Sequence, residues 1–413
     1  MLPRINVNQR NFVAGLWHGA FLAMGVAITD PSTVISSFVV DLTGSTVWVG
    51  GLTTVLTVAA ALPQLFVARL VEPRPRKMPF LLTAITLRVL SWALLAYFIF
   101  TIGDTAPMTL AWILVGMLVI FYAGGGLGNI PYTDIIGKVI PPGRRGAFFG
   151  GRGVLAGPLS LGAALAAKQI LANVAYPDNY AILFALAAAG LAIASLGFWA
   201  MKEPIVQGAA TGARKTWREY WHHLQFAGRS LRTLIAAQLL TGFSLMALPF
   251  YVVYAREEIH APVTAVGWFL LAQITGSIIF NLVWARLVDR SGSRRMLTVC
   301  ATIATATPLL AIILGPAGWP ALLPVFFLVG ATVAGRKVGF QSALLELAPV
   351  AERSTYAALN AVLILPVAFL SLVAGWLLQY LSYAALFALA AAFIGTGAIV
   401  IHRWAHRSPA DQD

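Results

Sequence analysis

Four charged residues lie deep inside long apolar stretches of the chain: Asp30, Arg88, Arg336 and Lys337. An ionised side chain at the centre of a bilayer costs at least about 2.5–3.5 kcal/mol on insertion scales, so each of them needs a reason. A carboxyl group in such a place can take up and release a proton, and a guanidinium or ammonium group can hold an anion. These residues therefore mark the places where proton and anion chemistry is expected.

Asp30 allows two interpretations. The sequence Asp30-Pro31-Ser32 is typical of a helix N-cap followed by proline in the first turn, which would cap the outer half of a broken helix. Alternatively, Asp30 is a proton-coupling carboxylate, about 6 Å outward from the middle of its apolar stretch at 1.5 Å per residue. The two roles are compatible, because broken helices in membrane proteins often line a binding site.

The three bases outnumber this one acid. Arg88 is predicted to be a structural partner of Asp30 or of helix carbonyls. Arg336 and Lys337 are adjacent, so at most one of them points straight inward from a helix. The surplus of positive charge favours an anionic, zwitterionic or acidic amphiphilic ligand, although one of the pair could instead bond to the glycine-rich stretch 124–129.

Long apolar helices must position these residues. The chain of 413 residues is 59% hydrophobic and only 10% charged, with a mean hydropathy of +0.81. A soluble domain has roughly 25% charged residues, so a soluble enzyme, a nucleic-acid-binding domain and a disordered chain are excluded. A membrane span needs about 20 apolar residues. The sequence predicts twelve spans, near 12–40, 47–71, 78–102, 108–137, 147–172, 179–201, 230–255, 264–288, 296–315, 319–348, 354–379 and 382–404.

The polar stretch in the middle of the chain divides the spans six and six. We predict an N-terminal bundle over 1–201, a linker over 202–229, and a C-terminal bundle with a short basic tail over 230–413. Within the linker, Trp217, Trp221 and Leu224 share one helical face, which is typical of an amphipathic helix among lipid headgroups. Membrane lipids are therefore expected partners.

Basic residues set the expected orientation. Most of the 28 Lys and Arg residues fall at the two ends of the chain and in the loops that share their side. By the positive-inside rule, both termini are cytoplasmic and the protein lies in the cytoplasmic (inner) membrane. The net charge of +13 is thus an orientation signal and predicts no nucleic-acid partner. The first apolar stretch exceeds a signal-peptide core, so it is expected to remain in the mature chain.

The two halves repeat one another. The segment 68–77 closes span 2 and is similar to 285–295, which closes span 8, and the segment 141–148 is similar to 349–356. Two six-helix halves in parallel repeat are a known transporter architecture, with the substrate site near mid-membrane.

The loop between spans 8 and 9 carries a specific pattern. It reads Ala285-x-x-x-Asp289-Arg290-x-Gly292-Ser293-Arg294-Arg295 and resembles the G-x-x-x-D-R/K-x-G-R/K-R/K signature of the major facilitator superfamily, with Ala for the first Gly and Ser293 inserted. The loop between spans 2 and 3 departs further, with Glu72 for Asp and Pro75 for Gly. The resemblance covers essentially the whole chain and implies an all-α fold of twelve transmembrane helices in two pseudo-symmetric halves.

A second motif lies in span 5. Gly153-x-x-x-Gly157-Pro158-x-x-x-Gly162 is similar to the antiporter motif of the same superfamily. Gly-x-x-x-Gly also permits close helix packing, and we prefer that explanation. The similarity nevertheless favours efflux slightly.

The resemblance also implies a set of ion pairs that close the cytoplasmic side. It places span 11 near the first loop and span 5 near the second, so Glu72 would pair with Arg353, and Asp289 with Arg145 or Arg152. Asp134 and Glu346 lie at the inner ends of spans 4 and 10. The alternative is static surface pairing, which contributes little to stability. The predicted gate residues are Glu72, Arg76, Lys77, Asp134, Arg145, Arg152, Asp289, Arg290, Arg294, Arg295, Glu346 and Arg353.

Polar and aromatic residues on the cavity-lining spans of the superfamily complete the candidates. Each one taken singly is more often an interhelical hydrogen-bond partner than a ligand contact. They are His18, Asn129, Tyr132, Tyr251, Gln273, Asn281, Gln341 and Asn360. Arg336 and Lys337 are cavity candidates as well, and for either of them substrate contact and a bond to a neighbouring helix are equally open.

These features predict a secondary active transporter of a small organic solute, coupled to protons and acting by alternating access. Efflux by antiport is slightly preferred, uptake by symport is the alternative, and a non-transporting receptor is a remote third. The chain has no Walker-type, Gly-x-Ser-x-Gly or His-Glu-x-x-His sequence, so we expect no direct ATP use, enzyme activity, cofactor or metal. A monomer is expected.

Overall fold

The computed structural model describes residues 7–71, 74–141, 144–204, 229–348, 356 and 360–406. Eleven helical stretches in these residues are long and apolar enough to cross a membrane. One of them, Val263–Ala317, has 55 residues and is long enough for two spans. Its backbone leaves helical geometry at Gly292, where φ is 78°. The fold is the predicted all-α membrane fold, and dividing this stretch at Gly292 gives twelve spans.

The described residues of the first half, up to residue 204, form seven helices. Proline and glycine explain some of their ends, because Pro107 opens one helix and Gly44, with φ of 61°, ends another. The helices are α1 (Val7–Ile28), α2 (Ser36–Thr43), α3 (Thr46–Val71), α4 (Met78–Ile102), α5 (Pro107–Val139), α6 (Arg145–Asn173) and α7 (Asp178–Ala200), with a π-helical turn, Pro31–Ile35, between α1 and α2.

The second half is more broken near its loops. Short 3₁₀ turns at Gly315–Ala317, Trp319–Leu322 and Leu365–Phe369 adjoin the helices there. The helices are α8 (Arg229–Thr241), α9 (Phe243–Ala247), α10 (Phe250–Glu257), α11 (Val263–Leu314, divided at Gly292), α12 (Leu323–Leu347), α13 (Leu370–Leu377) and α14 (Tyr383–Ala405).

The chain folds into two compact units. The first contains residues 1–44 and 55–212, and the second contains 45–54 and 213–413. The division after residue 212 falls in the stretch predicted as a linker. Residues 45–54 belong to the second unit because the start of α3 packs on α13, where Thr46 Oγ1 donates to Gly375 O at 3.0 Å.

The first unit is built around α1, α4 and α7. α1 packs on α6 and α7, and α4 packs on α5 and α7. Trp92 is fully buried, stacks on Phe121 with 4.0 Å between ring centroids, and meets Phe184 at 5.0 Å. These rings fix α4 against α5 and α7.

In the second unit, α11 packs on α12 and α14. Glycine allows the first of these contacts, because a Cβ on Gly330 would lie 1.8 Å from Gln273 O, and one on Gly276 would lie 2.0 Å from Phe327 O. Two backbones can approach this closely only where one of the two residues in contact lacks a Cβ. Cys300 lies in the buried core with Trp284 and Trp404.

Candidate functional site

Asp30 caps the break in the first span. Its Oδ1 accepts from the backbone N of Ser32 at 3.0 Å and of Thr33 at 3.1 Å, and from their hydroxyls at 2.6 and 3.0 Å. Pro31 opens the π-helical turn that follows. The capping interpretation is confirmed, and a proton-coupling role for Asp30 stays a prediction.

Arg88 contacts an aromatic ring and not the partners expected for it. Its guanidinium carbon lies 4.3 Å from the centroid of Phe121, a cation–π contact. Its side chain runs along Gly124 and Gly125 of α5, where a Cβ would approach it to 3.0 and 3.9 Å. Its buried Nε has no hydrogen-bond partner, and no ion pair joins Arg88 to Asp30 among the described residues. The Nε atom thus makes neither of the expected contacts, and a structural partnership of Arg88 with Asp30 or helix carbonyls stays a prediction.

Arg152 turns into the first unit, onto α1 and α5. Its Nη1 donates to the hydroxyl of Tyr132 at 2.5 Å. It lies against Gly19, where a Cβ would come within 2.0 Å of Nε. His18, next to this glycine, stacks on Phe198 with centroids 3.6 Å apart, and its Nδ1 lies 3.1 Å from Ala194 O. Because a carbonyl can only accept, Nδ1 carries the hydrogen.

These residues form a polar track along the first unit. Tyr122 lies in the neighbourhood of both Asp30 and Arg88, and His18 lies in the neighbourhood of both Arg88 and Arg152. Arg88 lies beside Gly125 and Arg152 beside Tyr132, so the two guanidinium groups contact α5 about 10 Å apart at 1.5 Å per residue. Tyr122 is absent from the predicted site residues.

In the second unit, Arg336 and Lys337 separate as adjacent helical residues must. Arg336 Nη1 donates to Thr241 Oγ1 on α8, and its guanidinium lies 5.2 Å from the centroid of Phe340. Lys337 lies on the exposed face of α12, one turn before Gln341, which is also exposed. Arg336 is thus the inward-pointing member of the pair.

The other cavity candidates divide between helix contacts and exposed positions. Asn360 exchanges amide hydrogen bonds of 2.6 and 3.3 Å with Gln238 of α8. Tyr251 is 4% exposed and stacks on Phe387, and Gln273 is buried at the glycine crossing of α11 and α12. Asn360, Tyr251 and Gln273 thus lie at contacts between helices, which is the alternative to ligand contact given above. Asn129 and Asn281 are exposed.

An ion network lies at the end of the first unit predicted to be cytoplasmic. Asp134 Oδ2 is 3.1 Å from Lys77 Nζ and 2.6 Å from Lys138 Nζ. Glu203 lies 3.3 Å from Lys138 and accepts from the backbone N of Lys77 and Met78 at 2.8–3.0 Å. Its carboxylate therefore caps α4, where it is favoured by the helix dipole. The spacing of Asp134 and Lys138 signals their pair, but no local pattern signals Glu203, which comes from a distant part of the sequence.

In the second unit, Glu346 accepts from Ser293 Oγ at 2.6 Å. Ser293 is the residue inserted in the loop signature. That insertion is the only feature of the sequence that points to this contact. Arg294 lies over the ring of Trp404, 4.5 Å from its centroid. Asp289, Arg290 and Arg295 are exposed, as Arg76 is in the first unit. Glu72, Arg353, the Arg145 side chain, and the predicted helix at Trp217, Trp221 and Leu224 lie outside the described residues.

The span-5 motif does not form a close helix contact at two of its glycines. A Cβ on Gly153 or Gly162 would meet no atom within 4 Å. Both interpretations of this motif, helix packing and antiport, stay predictions. Pro158 lies inside α6, five residues beyond Gly153 and one beyond Gly157.

Comparisons with known proteins agree with this architecture. Residues 233–413 match the model of the Major Facilitator Superfamily. No curated protein matches the chain. Among solved structures, a bacterial homologue of the iron transporter ferroportin is 14% identical, with a TM-score of 0.73 over 96% of this chain and 99% of that one.

Two further solved structures have the same fold. An auto-inhibited peptide transporter of the POT family is 13% identical, with a TM-score of 0.72 over 97% of each chain. A mutant of the nucleoside transporter NupG is 13% identical, with a TM-score of 0.70 over 97% of this chain and all of that one. The C-terminal part of the chain, residues 233–413, is thus similar to the Major Facilitator Superfamily, and the chain as a whole has the fold of the multi-pass transporters compared above.

Proposed function

We propose that this transporter moves a small organic anion, zwitterion or acidic amphiphile across the cytoplasmic membrane by alternating access. The observation that carries the proposal is the presence of Arg88, Arg152 and Arg336 inside the bundles. Among the described residues, no carboxylate lies within ion-pair distance of these three guanidinium groups, which contact rings and hydroxyls instead.

A positive charge in a low-dielectric interior is costly without an opposite charge. An anionic solute supplies that charge when it binds, so part of the cost of burying the arginines returns as binding energy. A cationic solute would add to the cost. The charge balance therefore favours substrates with a carboxylate, phosphate or similar acidic group.

We propose proton coupling with Asp30 as the coupling residue, and efflux by antiport as the direction. Asp30 and Arg88 both lie in the neighbourhood of Tyr122. Protonation at Asp30 would thus change the charge next to an anion-binding arginine. The similarity of the Gly153–Gly162 sequence to the antiporter motif supports this direction. Uptake by symport remains the second outcome of the transport test below.

Ligand binding tests the charge preference. Purified protein is heated with panels of carboxylates, organic phosphates, amino acids and quaternary ammonium compounds at two pH values. We expect acidic compounds to raise the unfolding temperature, and Arg336→Gln to abolish the increase. Lys337→Gln is the matched control, because its exposed side chain makes no comparable contact, and it should keep the response. Stabilisation by cations alone would contradict the proposal.

Transport of the best acidic ligand is then measured in proteoliposomes with an imposed pH gradient. We expect flux that depends on the gradient, with its sign distinguishing antiport from symport. Asp30→Asn should lose the pH dependence and Asp30→Glu should keep it. Unchanged pH dependence in Asp30→Asn would leave Asp30 with its capping role alone, and absence of flux would indicate a receptor.

A further inference from the structure

An apolar groove of about 340 Å³ runs between α1 and α7 in the first unit. Val13, Trp17 and Leu196 form its sides and are 62, 43 and 57% exposed. Gly197 forms part of its floor, where a Cβ would lie 2.5 Å from Ala14 O. The groove is thus a built feature of two closely packed helices.

Hydrogen bonds hold both ends of the groove in place. The indole N–H of Trp17 donates to Ile193 O at 2.8 Å, which keeps this exposed ring across the gap between the helices. Arg10 lies about 10 Å away along α1 at 1.5 Å per residue, and its Nε donates to Ala200 O at 2.7 Å. The groove therefore has one aromatic end and one cationic end.

The cationic end holds a second basic residue. Asn11 exchanges hydrogen bonds of 3.0 and 2.9 Å with the backbone of Lys202, which places this exposed lysine beside the start of α1. Glu203 follows it in sequence, but its carboxylate is bonded to Lys138 and to the start of α4. The positive charge of Arg10 and Lys202 therefore has no carboxylate at ion-pair distance among the described residues.

We propose that the groove binds one anionic phospholipid of the cytoplasmic leaflet. An acyl chain lies between Val13 and Leu196 with its contact ending at Trp17, and the phosphate lies at Arg10 and Lys202. Val13, Trp17 and Leu196 are exposed apolar side chains on membrane-spanning helices, and acyl chains are the apolar partner that a bilayer supplies to such a surface. The basic end selects anionic headgroups, since a basic residue near the surface adds about 1 kcal/mol of attraction to an anionic leaflet.

Native mass spectrometry of the purified full chain tests the proposal. The protein is mixed with phosphatidylglycerol or phosphatidylcholine carrying the same acyl chains, and the bound lipid is counted. We expect phosphatidylglycerol to be retained more strongly, and Arg10→Gln to weaken its binding about fivefold. Arg10→Lys keeps the charge and should retain the lipid. Arg403→Gln removes a charge from an exposed helix end elsewhere and should match the wild type.

Two further variants separate the groove from general charge. Val13→Trp fills the groove from an exposed position, so it should fold normally and lower the binding of both lipids. If Arg10→Gln fails to fold, Lys202→Gln removes the other positive charge at this end of the groove and should weaken phosphatidylglycerol binding in the same way. Equal retention of the two lipids by the wild type, or equal behaviour of Arg10→Gln and Arg403→Gln, would overturn the proposal. Transport is not measured, so this result is independent of the proposed function.

Discussion

Gly19 and Gly153 look alike in sequence but have different surroundings. A Cβ on Gly19 would lie 2.0–2.4 Å from the Nε, Cδ and Cγ atoms of Arg152, whereas one on Gly153 would meet open space. Gly19→Ala should displace Arg152 from Tyr132, lower the stability by about 1–3 kcal/mol and reduce transport. Thermal unfolding in detergent and flux in proteoliposomes measure the two effects.

Gly153→Ala provides the control for this prediction, because it makes the same change in a helix without a clash. Its stability should equal or exceed that of the wild type by up to about 1 kcal/mol, because alanine favours a helix more than glycine does. Equal stability of the two variants would show that Arg152 does not need the space at Gly19.

At the scale of the helix, α4 depends on a residue far from it in sequence. Glu203 caps its first turn and is bonded to Lys138. Glu203→Gln keeps the shape of the side chain but replaces one carboxylate oxygen, an acceptor, with an amide NH₂ group, a donor. It also removes the negative charge that the helix N-terminus favours. We expect a loss of about 1–3 kcal/mol, measured by thermal unfolding. Glu258→Gln changes an exposed residue and should alter the stability little. If it lowered the stability as much as Glu203→Gln does, the capping role of Glu203 would be contradicted.

At the scale of the molecule, the charge distribution predicts which ends of the helices are cytoplasmic. Cys300 is 1% exposed, so it should not react with a maleimide. The Cys300→Ala variant provides a cysteine-free background for labelling. Asp104→Cys introduces a labelling site between spans 3 and 4, and Ser291→Cys introduces one between spans 8 and 9. An impermeant maleimide should label the first in intact cells and the second only in inverted vesicles. The reverse pattern would contradict a cytoplasmic location for both termini.

Helical spans were the most predictable feature, because their signal is a composition summed over about 20 residues. The turn at Gly292 was also readable, since a positive φ favours glycine. Single contacts were less predictable. The caps at Asp30 and Ser382 follow local patterns, whereas the partner of Asn360 depends on how α8 lies in its bundle.

The amino-acid sequence by itself determined a twelve-span membrane protein, the superfamily signature in the loop after span 8, and the presence of uncompensated bases in apolar helices. These properties depend on composition and local order along the chain. Only the tertiary structure decided that Arg88 lies on Phe121, that Arg336 and not Lys337 turns inward, and that Glu203 caps α4. Such contacts join residues far apart in sequence, so helix packing determines their distance and direction, and no local pattern encodes them.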